Sequence, residues 1–224
     1  MESGKSLNFR LRLFWLAVAA LLLGARGDAA ALPISHTFDS DAQGWTAIGA
    51  TLSHVGSGGN PGGYLKFSDT QSGYMYAALS VSDLSSFIGG SLAFDARLVQ
   101  NNAGAGLPLF GEVTIDAGAT GSATLDLAPQ FLTTNWTTYS ALLDAASWGL
   151  SDGQFQNVLA NATQIRIKVD GRNGIGDVTG FDNFSISGGQ VQGETGPAVP
   201  EPTSLALFAL GCAVVALRPR RRSL

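Results

Sequence analysis

Residues 91–98, Ser91-Leu92-Ala93-Phe94-Asp95-Ala96-Arg97-Leu98, decide the fold class. Leu92, Phe94, Ala96 and Leu98 recur at every second position, so in an extended chain they share one face. That is the signature of a strand with one dry side. The same alternation occurs in Tyr64-Leu65-Lys66-Phe67-Ser68, where Leu65 and Phe67 coincide. In Ile165-Arg166-Ile167-Lys168-Val169, apolar and basic residues separate onto opposite faces. Working outward, further strands are expected at Ala50–Val55, Tyr74–Leu79, Leu109–Ile115, Ala123–Leu127, Trp136–Leu143, Gln164–Val169 and Asp182–Ile186. Turn residues separate them at Gly56–Gly63, Gly89-Gly90, Asn101–Gly106, Ala117–Gly121 and Gly171–Gly176. Short strands with frequent turns point to an all-β antiparallel sandwich or barrel.

One helix interrupts the pattern. Ser151 and Gln154 have the spacing of a capping box, in which each side chain satisfies the other's backbone donor. Phe155, Val158 and Leu159 then form one apolar stripe, to be laid across a sheet. Residues 188–198 (GGQVQGETGPA) are a polar, Gly-rich linker.

Beyond the linker the composition changes. Val199-Pro200-Glu201-Pro202 leads into the uncharged run Thr203 to Leu217, followed by Arg218, Arg220, Arg221 and Arg222. The prolines hold Pro200-Glu201-Pro202 extended and accessible. The apolar run is shorter than the ~20 residues that span a bilayer comfortably, and the arginines favour the cytoplasmic side. This order resembles the PEP-CTERM sorting signal over residues 199–224, a short transmembrane segment that an exosortase recognises. At the other end, Lys5, Arg10 and Arg12 precede the apolar run Leu13 to Gly24. Small residues follow, as in a signal peptide over residues 1–31. Cleavage after Gly27, Ala29 or Ala31 each satisfies the small-residue rule. The chain is therefore expected to pass the secretion translocon and to touch the inner membrane only transiently through its tail. Processing by exosortase then leaves it at the cell surface or outside.

Without these ends, residues 32–198 hold five basic residues and fourteen acids, a net charge of −9 against −4 for the whole chain. Such a body does not attract nucleic acid or anionic lipid through charge. Divalent cations and neutral polymers suit it better. The single cysteine, Cys212, lies in the tail, so the body has no disulfide. At this length it needs none to bury a core.

The body carries Phe38-Asp39, Gly44-Trp45, Asn60-Pro61-Gly62-Gly63-Tyr64-Leu65, Tyr74-Met75-Tyr76 and Gly89-Gly90-Ser91 in that order. Trp136, Trp148, Ile165-Arg166-Ile167 and Gly180-Phe181-Asp182-Asn183-Phe184 follow. This series resembles a laminin IV (laminin B) type domain over about residues 36–187. The resemblance implies an antiparallel jelly-roll β-sandwich, related in shape to carbohydrate-binding modules, with an adhesive or structural role and no catalytic residues. With its ends included, the expected protein is all-β with one short helix, flanked by a signal helix and an apolar sorting helix. The jelly-roll domain is expected at residues 32–187.

Chemistry-bearing constellations are sparse. His36 and His54 are isolated, and their spacing fits no zinc signature. No Gly-x-Ser-x-Gly elbow or Gly-x-x-x-x-Gly-Lys loop occurs. Glu112 is the one glutamate in the folded core and the first suspect for a carboxylate pair, although alternation turns it to solvent. In a jelly roll the first and last strands are neighbours, so Asp39 and Asp41 can meet Asp182. Hard oxygen ligands of that kind suit a structural calcium ion. The competing reading makes the first two turn residues and the third a partner of backbone N–H groups. Among the aromatics, Trp45 and Trp136 are assigned to the core, and Tyr74 and Tyr76 to one exposed strand face where a sugar can stack. The leading functional expectation is a non-catalytic adhesive or structural surface module that holds exopolysaccharide or surface proteins. The alternatives are a carbohydrate-binding module and a secreted glycan-active enzyme.

Overall fold

A computed structural model describes residues 32–127 and 131–189. The signal peptide, most of the linker and the sorting residues Pro200, Glu201, Pro202, Arg218, Arg220, Arg221 and Arg222 lie outside the described residues. No helix among the described residues is long and apolar enough to cross a membrane.

Among the described residues eleven strands form two antiparallel sheets. In chain order they are β1 (Ile34–His36), β2 (Trp45–Ile48), β3 (Ala50–Val55), β4 (Tyr64–Asp69), β5 (Tyr76–Ser80) and β6 (Ser91–Gln100). Then come β7 (Val113–Asp116), β8 (Ser122–Leu125), β9 (Thr137–Leu142), β10 (Gln164–Lys168) and β11 (Val178–Ser187). One sheet runs β3-β4-β11-β6-β9, with β1 also paired to β11. The other runs β2-β5-β10-β7-β8. This is an antiparallel β-sandwich, as the alternation requires. The helix α1 (Asp152–Ala160) begins at the expected capping box: Ser151 Oγ accepts from the Gln154 N–H, and Gln154 Oε1 accepts from the Ser151 N–H at 3.1 Å. Its stripe of Phe155, Val158 and Leu159 is buried.

The core lies between the sheets. Leu92, Phe94, Ala96 and Leu98 of β6 face inward, as do Ile165 and Ile167 of β10. Phe181 of β11 sits at the centre, its ring centroid 4.9 Å from that of Trp45, 5.1 Å from Phe94 and 5.9 Å from Phe38. Trp45 is buried as expected, and its indole N–H donates to His36 Nδ1 at 2.7 Å. That bond ties β1 to the core and holds His36 in the tautomer whose Nδ1 is free to accept; burial lowers its pKa.

Four expectations need correction. Trp136 is half-buried, on the outer face of the six-stranded sheet beside Tyr64. Gly180 of β11 makes room for it: a Cβ there would stand 3.1 Å from the indole and 3.3 Å from the Tyr64 ring. β5 starts at Tyr76, because its partner β2 ends at Ile48 opposite that residue, so Tyr74 lies in the preceding loop. β7 starts at Val113, after a turn in which the Glu112 N–H donates to the Leu109 carbonyl. β11 extends N-terminally to Val178 because Thr179, Gly180 and Phe181 pair with β6 on one side and β4 on the other.

Candidate functional site

The outer face of the five-stranded sheet is assembled by register. Tyr76 stands between Ile48 and Lys168. In the next row Thr46, Ala78, Arg166, Thr114 and Thr124 lie side by side. A third row joins Ser80, Gln164, Asp116 and Ser122. Glu112 and Asp126 extend β7 and β8 at the Lys168 end. Period two explains the whole face, since each residue alternates with a buried apolar neighbour such as Ile165, Ile167, Val113 or Ile115.

The two expected aromatics come together here. Tyr74 is 52% exposed, and Tyr76 is half-buried. The Lys168 ammonium lies 3.5 Å from the Tyr74 ring centroid, a cation–π contact that holds the ring at the edge of the face. Lys168 is only 3% exposed because its stem lies along the sheet. Burial, then the Glu112 carboxylate, raises the Tyr76 pKa, so its hydroxyl stays protonated and able to donate. Arg166 pairs with Asp116 at 3.5 Å, and the Thr114 and Thr124 hydroxyls are 3.2 Å apart. Neither Tyr76 nor Gln164 spends its side-chain polar atoms on another described residue, so both are free for a ligand.

Glu112 turns to solvent, as expected. Burial raises its pKa, and Asp126 within hydrogen-bonding reach raises it further.

The three expected calcium ligands separate into two groups. Asp39 and Asp182 meet at the 59–63 loop. Asp39 Oδ1 accepts from the Gly63 N–H at 3.3 Å, and Asp182 Oδ2 accepts from the Asn60 N–H at 2.6 Å. Asp182 Oδ1 takes the Asn183 N–H at 2.7 Å. Gly62 lies against the Asp39 carboxylate at φ +84°, in space a side chain would fill. Burial raises the Asp182 pKa, opposed by those N–H groups and reinforced by the Asp95 and Asp39 charges. Asp41 takes no part: its carboxylate accepts from the Gln43 N–H at 2.7 Å in an exposed turn. Among the described residues no three Asp, Glu, His or Cys side chains already converge as metal ligands.

Asp95 was not singled out in sequence, where it reads as an outward polar residue of β6. It is only 6% exposed because Thr138, Asn60 and Asn183 all donate to it, at 2.6, 3.0 and 2.8 Å. Its register partner is Asp182. The position of Asp182 near the start of the recognised Asp182–Ile186 strand was the one available signal.

Comparison with known proteins completes the site. Residues 198–222 match the PEP-CTERM protein-sorting motif, which implies export with transient membrane anchoring before processing. No curated protein matches the chain. Among solved structures, the CBM22-1 xylan-binding domain from Paenibacillus barcinonensis is similar at 15% identity and TM-score 0.50, over 72% of this chain and 97% of that one. The CBM22-1–CBM22-2 tandem domain from the same organism gives 14% identity and TM-score 0.51, over 78% and 50% respectively. A further CBM22 xylan-binding domain gives 13% identity and TM-score 0.50, over 74% and 99%. Likeness at this identity establishes the fold, a jelly-roll sandwich of the kind seen in carbohydrate-binding modules. It supports that shape relation and not the laminin IV type specifically.

Proposed function

We propose that this chain is a non-catalytic carbohydrate-binding module, exported and sorted to the cell envelope, where it holds a neutral polysaccharide on the outer face of its five-stranded sheet. This reading replaces the adhesive, laminin-like role as the leading one. The observation that carries it is the register-built face itself. Tyr74 and Tyr76 offer ring surface at one end, with rows of Thr, Ser, Gln and paired charges beside them. Aromatic rings stack on the apolar faces of sugar rings, and fixed polar side chains bind the hydroxyls that ring the sugar's edge. The net charge of −9 on the exported body favours a neutral polymer over an anionic one.

A calcium ion shared by Asp39 and Asp182 is a structural part of the same proposal. Both carboxylates accept N–H groups of the 59–63 loop, and Asp41 is not among its ligands. A catalytic role finds less support, because the solved structures that share this fold are binding modules.

Affinity electrophoresis of the purified protein in gels containing xylan, mixed-linkage β-glucan or cellulose derivatives tests the function, followed by a reducing-sugar assay on any polymer that retards it. Retardation without sugar release supports the module. Sugar release overturns the non-catalytic reading, and no retardation by any neutral polymer returns the chain to a structural role.

A further inference from the structure

A second acidic site lies away from both the tyrosine face and the Asp39–Asp182 pair. β4 ends in Asp69, and the loop from β10 to β11 begins at Asp170 and closes at Asp177. The backbone draws these segments together: the Asp69 N–H donates to the Asp177 carbonyl at 3.0 Å, and the Gly176 N–H to the Asp69 carbonyl at 3.3 Å. All three side chains are buried, Asp69 to 6% exposure, Asp170 to 3% and Asp177 to 0%. The three carboxylates lie buried at this end of the sandwich without converging as a ready-made ligand set, so a cation has to draw in carbonyls and water as well, and the side chains provide little counter-charge. Among the described residues the only ion pair is Arg166 with Asp116, and none reaches this corner.

The carboxylate oxygens are also short of hydrogen bonds. Asp69 Oδ1 accepts from the Gln71 N–H and Asp177 Oδ2 from the Gly171 N–H. Oδ1 of Asp170 and Oδ1 of Asp177 are buried with no partner at all. Unpaired buried acceptors are rare, because each forgoes its hydration without compensation. Asp69 and Asp170 line a cavity of about 180 Å³, together with Gln71, Tyr74, Arg172 and Asn173. The charged groups around the corner are Lys168 from β10 and Arg172 in the loop, and neither ion-pairs with the trio. Burial and mutual repulsion raise Asp170 to about 6, and burial, then Asp69, raises Asp177 to about 6.

We propose that Asp170 and Asp177, with Asp69 beside them, bind a calcium ion at this end of the sandwich. The unpartnered Oδ1 atoms supply the first ligands, and backbone carbonyls of the loop and water complete the shell. Donors from a strand end and an irregular loop suit the flexible geometry of Ca²⁺ better than the strict octahedron of Mg²⁺. The ion would pin the β10–β11 loop to β4, next to Tyr74 at the edge of the tyrosine face.

The test is thermal unfolding of the full chain, stripped with EDTA and then titrated with CaCl₂, for the wild type, Asp170→Asn, Asp177→Asn and Asp182→Asn. The wild type and Asp182→Asn should gain melting temperature with calcium, and the two loop variants should gain less or none. Should either loop variant fail to fold, calcium affinity of the wild type and Asp182→Asn by calorimetry decides the matter. It should fall at least about tenfold between pH 7.5 and pH 5.0, as the carboxyls take up protons. The proposal is overturned if calcium leaves the wild type unshifted, or if Asp170→Asn keeps the full shift. Loss of the shift in Asp182→Asn alone, or an affinity indifferent to pH, does the same.

Discussion

Replacing Asp170 by asparagine should stabilise the calcium-free protein at neutral pH, the opposite of what most substitutions of buried residues do. Asparagine keeps the shape, but it removes one charge from a corner that also holds Asp69 and Asp177. The Asp170 carboxyl is raised from 3.8 to about 6 by burial and by those neighbours. A group whose folded pKa is raised in this way favours the protonated folded state. Its contribution is therefore neutral below the unfolded value near 4, grows steadily less favourable as pH rises from there to about 6, and is constant above that. At roughly 1.4 kcal/mol per pKa unit, ionising this one group costs the fold up to about 3 kcal/mol at pH 7.5. For a domain of this size that corresponds to about 10 °C in melting temperature at most. The assay is urea unfolding followed by tryptophan fluorescence in EDTA, at pH 4.5, 6.0 and 7.5, for wild type and Asp170→Asn. His36 contributes the opposite slope, since burial lowers its pKa and its stability is lost as pH falls below 6.5. Taking the difference between the two proteins cancels it. The difference should be smallest at pH 4.5, about a third of its full size, and largest at pH 7.5. A variant equal to or weaker than wild type at pH 7.5, or a difference that does not grow with pH, refutes the electrostatic account of this corner.

Other substitutions probe the remaining layers. Tyr76→Ala should weaken polysaccharide binding by about 5- to 30-fold, the equivalent of about 1–2 kcal/mol of lost ring contact, with little change in melting temperature; calorimetry against the best-binding polymer measures it. Ser151→Ala removes the N-cap of α1 and should lower stability by about 1 kcal/mol, read as a melting temperature about 2–4 °C lower. Trp45→Ala empties the centre of the aromatic cluster and frees β1 from its His36 bond, so a loss of about 3–5 kcal/mol is expected in denaturant unfolding.

The parts of this fold that were legible in sequence are those where one neighbour decides. A strand with a dry face announces itself through alternation, so β3, β4, β6 and β10 were readable nearly to the residue, and the Ser151–Gln154 capping box marked the start of α1. What depended on a distant partner was not readable. The alternation of Tyr74-Met75-Tyr76 continues past the point where β2 stops offering hydrogen bonds, so the pattern starts the strand two residues too early. Trp136 was placed in the core on size alone, yet Gly180, some forty residues away, provides the shelf on the outer face where it rests. The Asp39–Asp182 meeting was readable from the neighbouring of first and last strands. The Asp69–Asp170–Asp177 corner was not, because about a hundred residues separate its members and each looks like an ordinary turn acid.

The choice between the two outer faces follows from how each spends its polar groups. On the six-stranded sheet, Asp95 accepts from Thr138, Asn60 and Asn183, Asp182 accepts from the Asn60 and Asn183 N–H groups, and the aromatic pair Tyr64–Trp136 is already covered by a cation. The Arg97 guanidinium lies 4.8 Å from the Trp136 ring centroid and 5.5 Å from that of Tyr64, and it also donates to the Gly58 carbonyl at 3.2 Å. That surface is bonded to itself, and a sugar would have to displace Arg97 to stack there. On the five-stranded sheet the Tyr76 hydroxyl and the Gln164 amide are unspent, and Tyr74 is held by Lys168 yet stays about half exposed. A ligand there meets the exposed half of Tyr74 and two polar groups without existing partners, whereas Tyr64 is only 6% exposed, and that is the cheaper exchange. Arg97→Ala should accordingly leave polysaccharide binding intact while loosening Trp136, visible as a red-shifted tryptophan emission. If it instead abolishes binding, the glycan sits on the six-stranded face and the tyrosine rows serve only the fold.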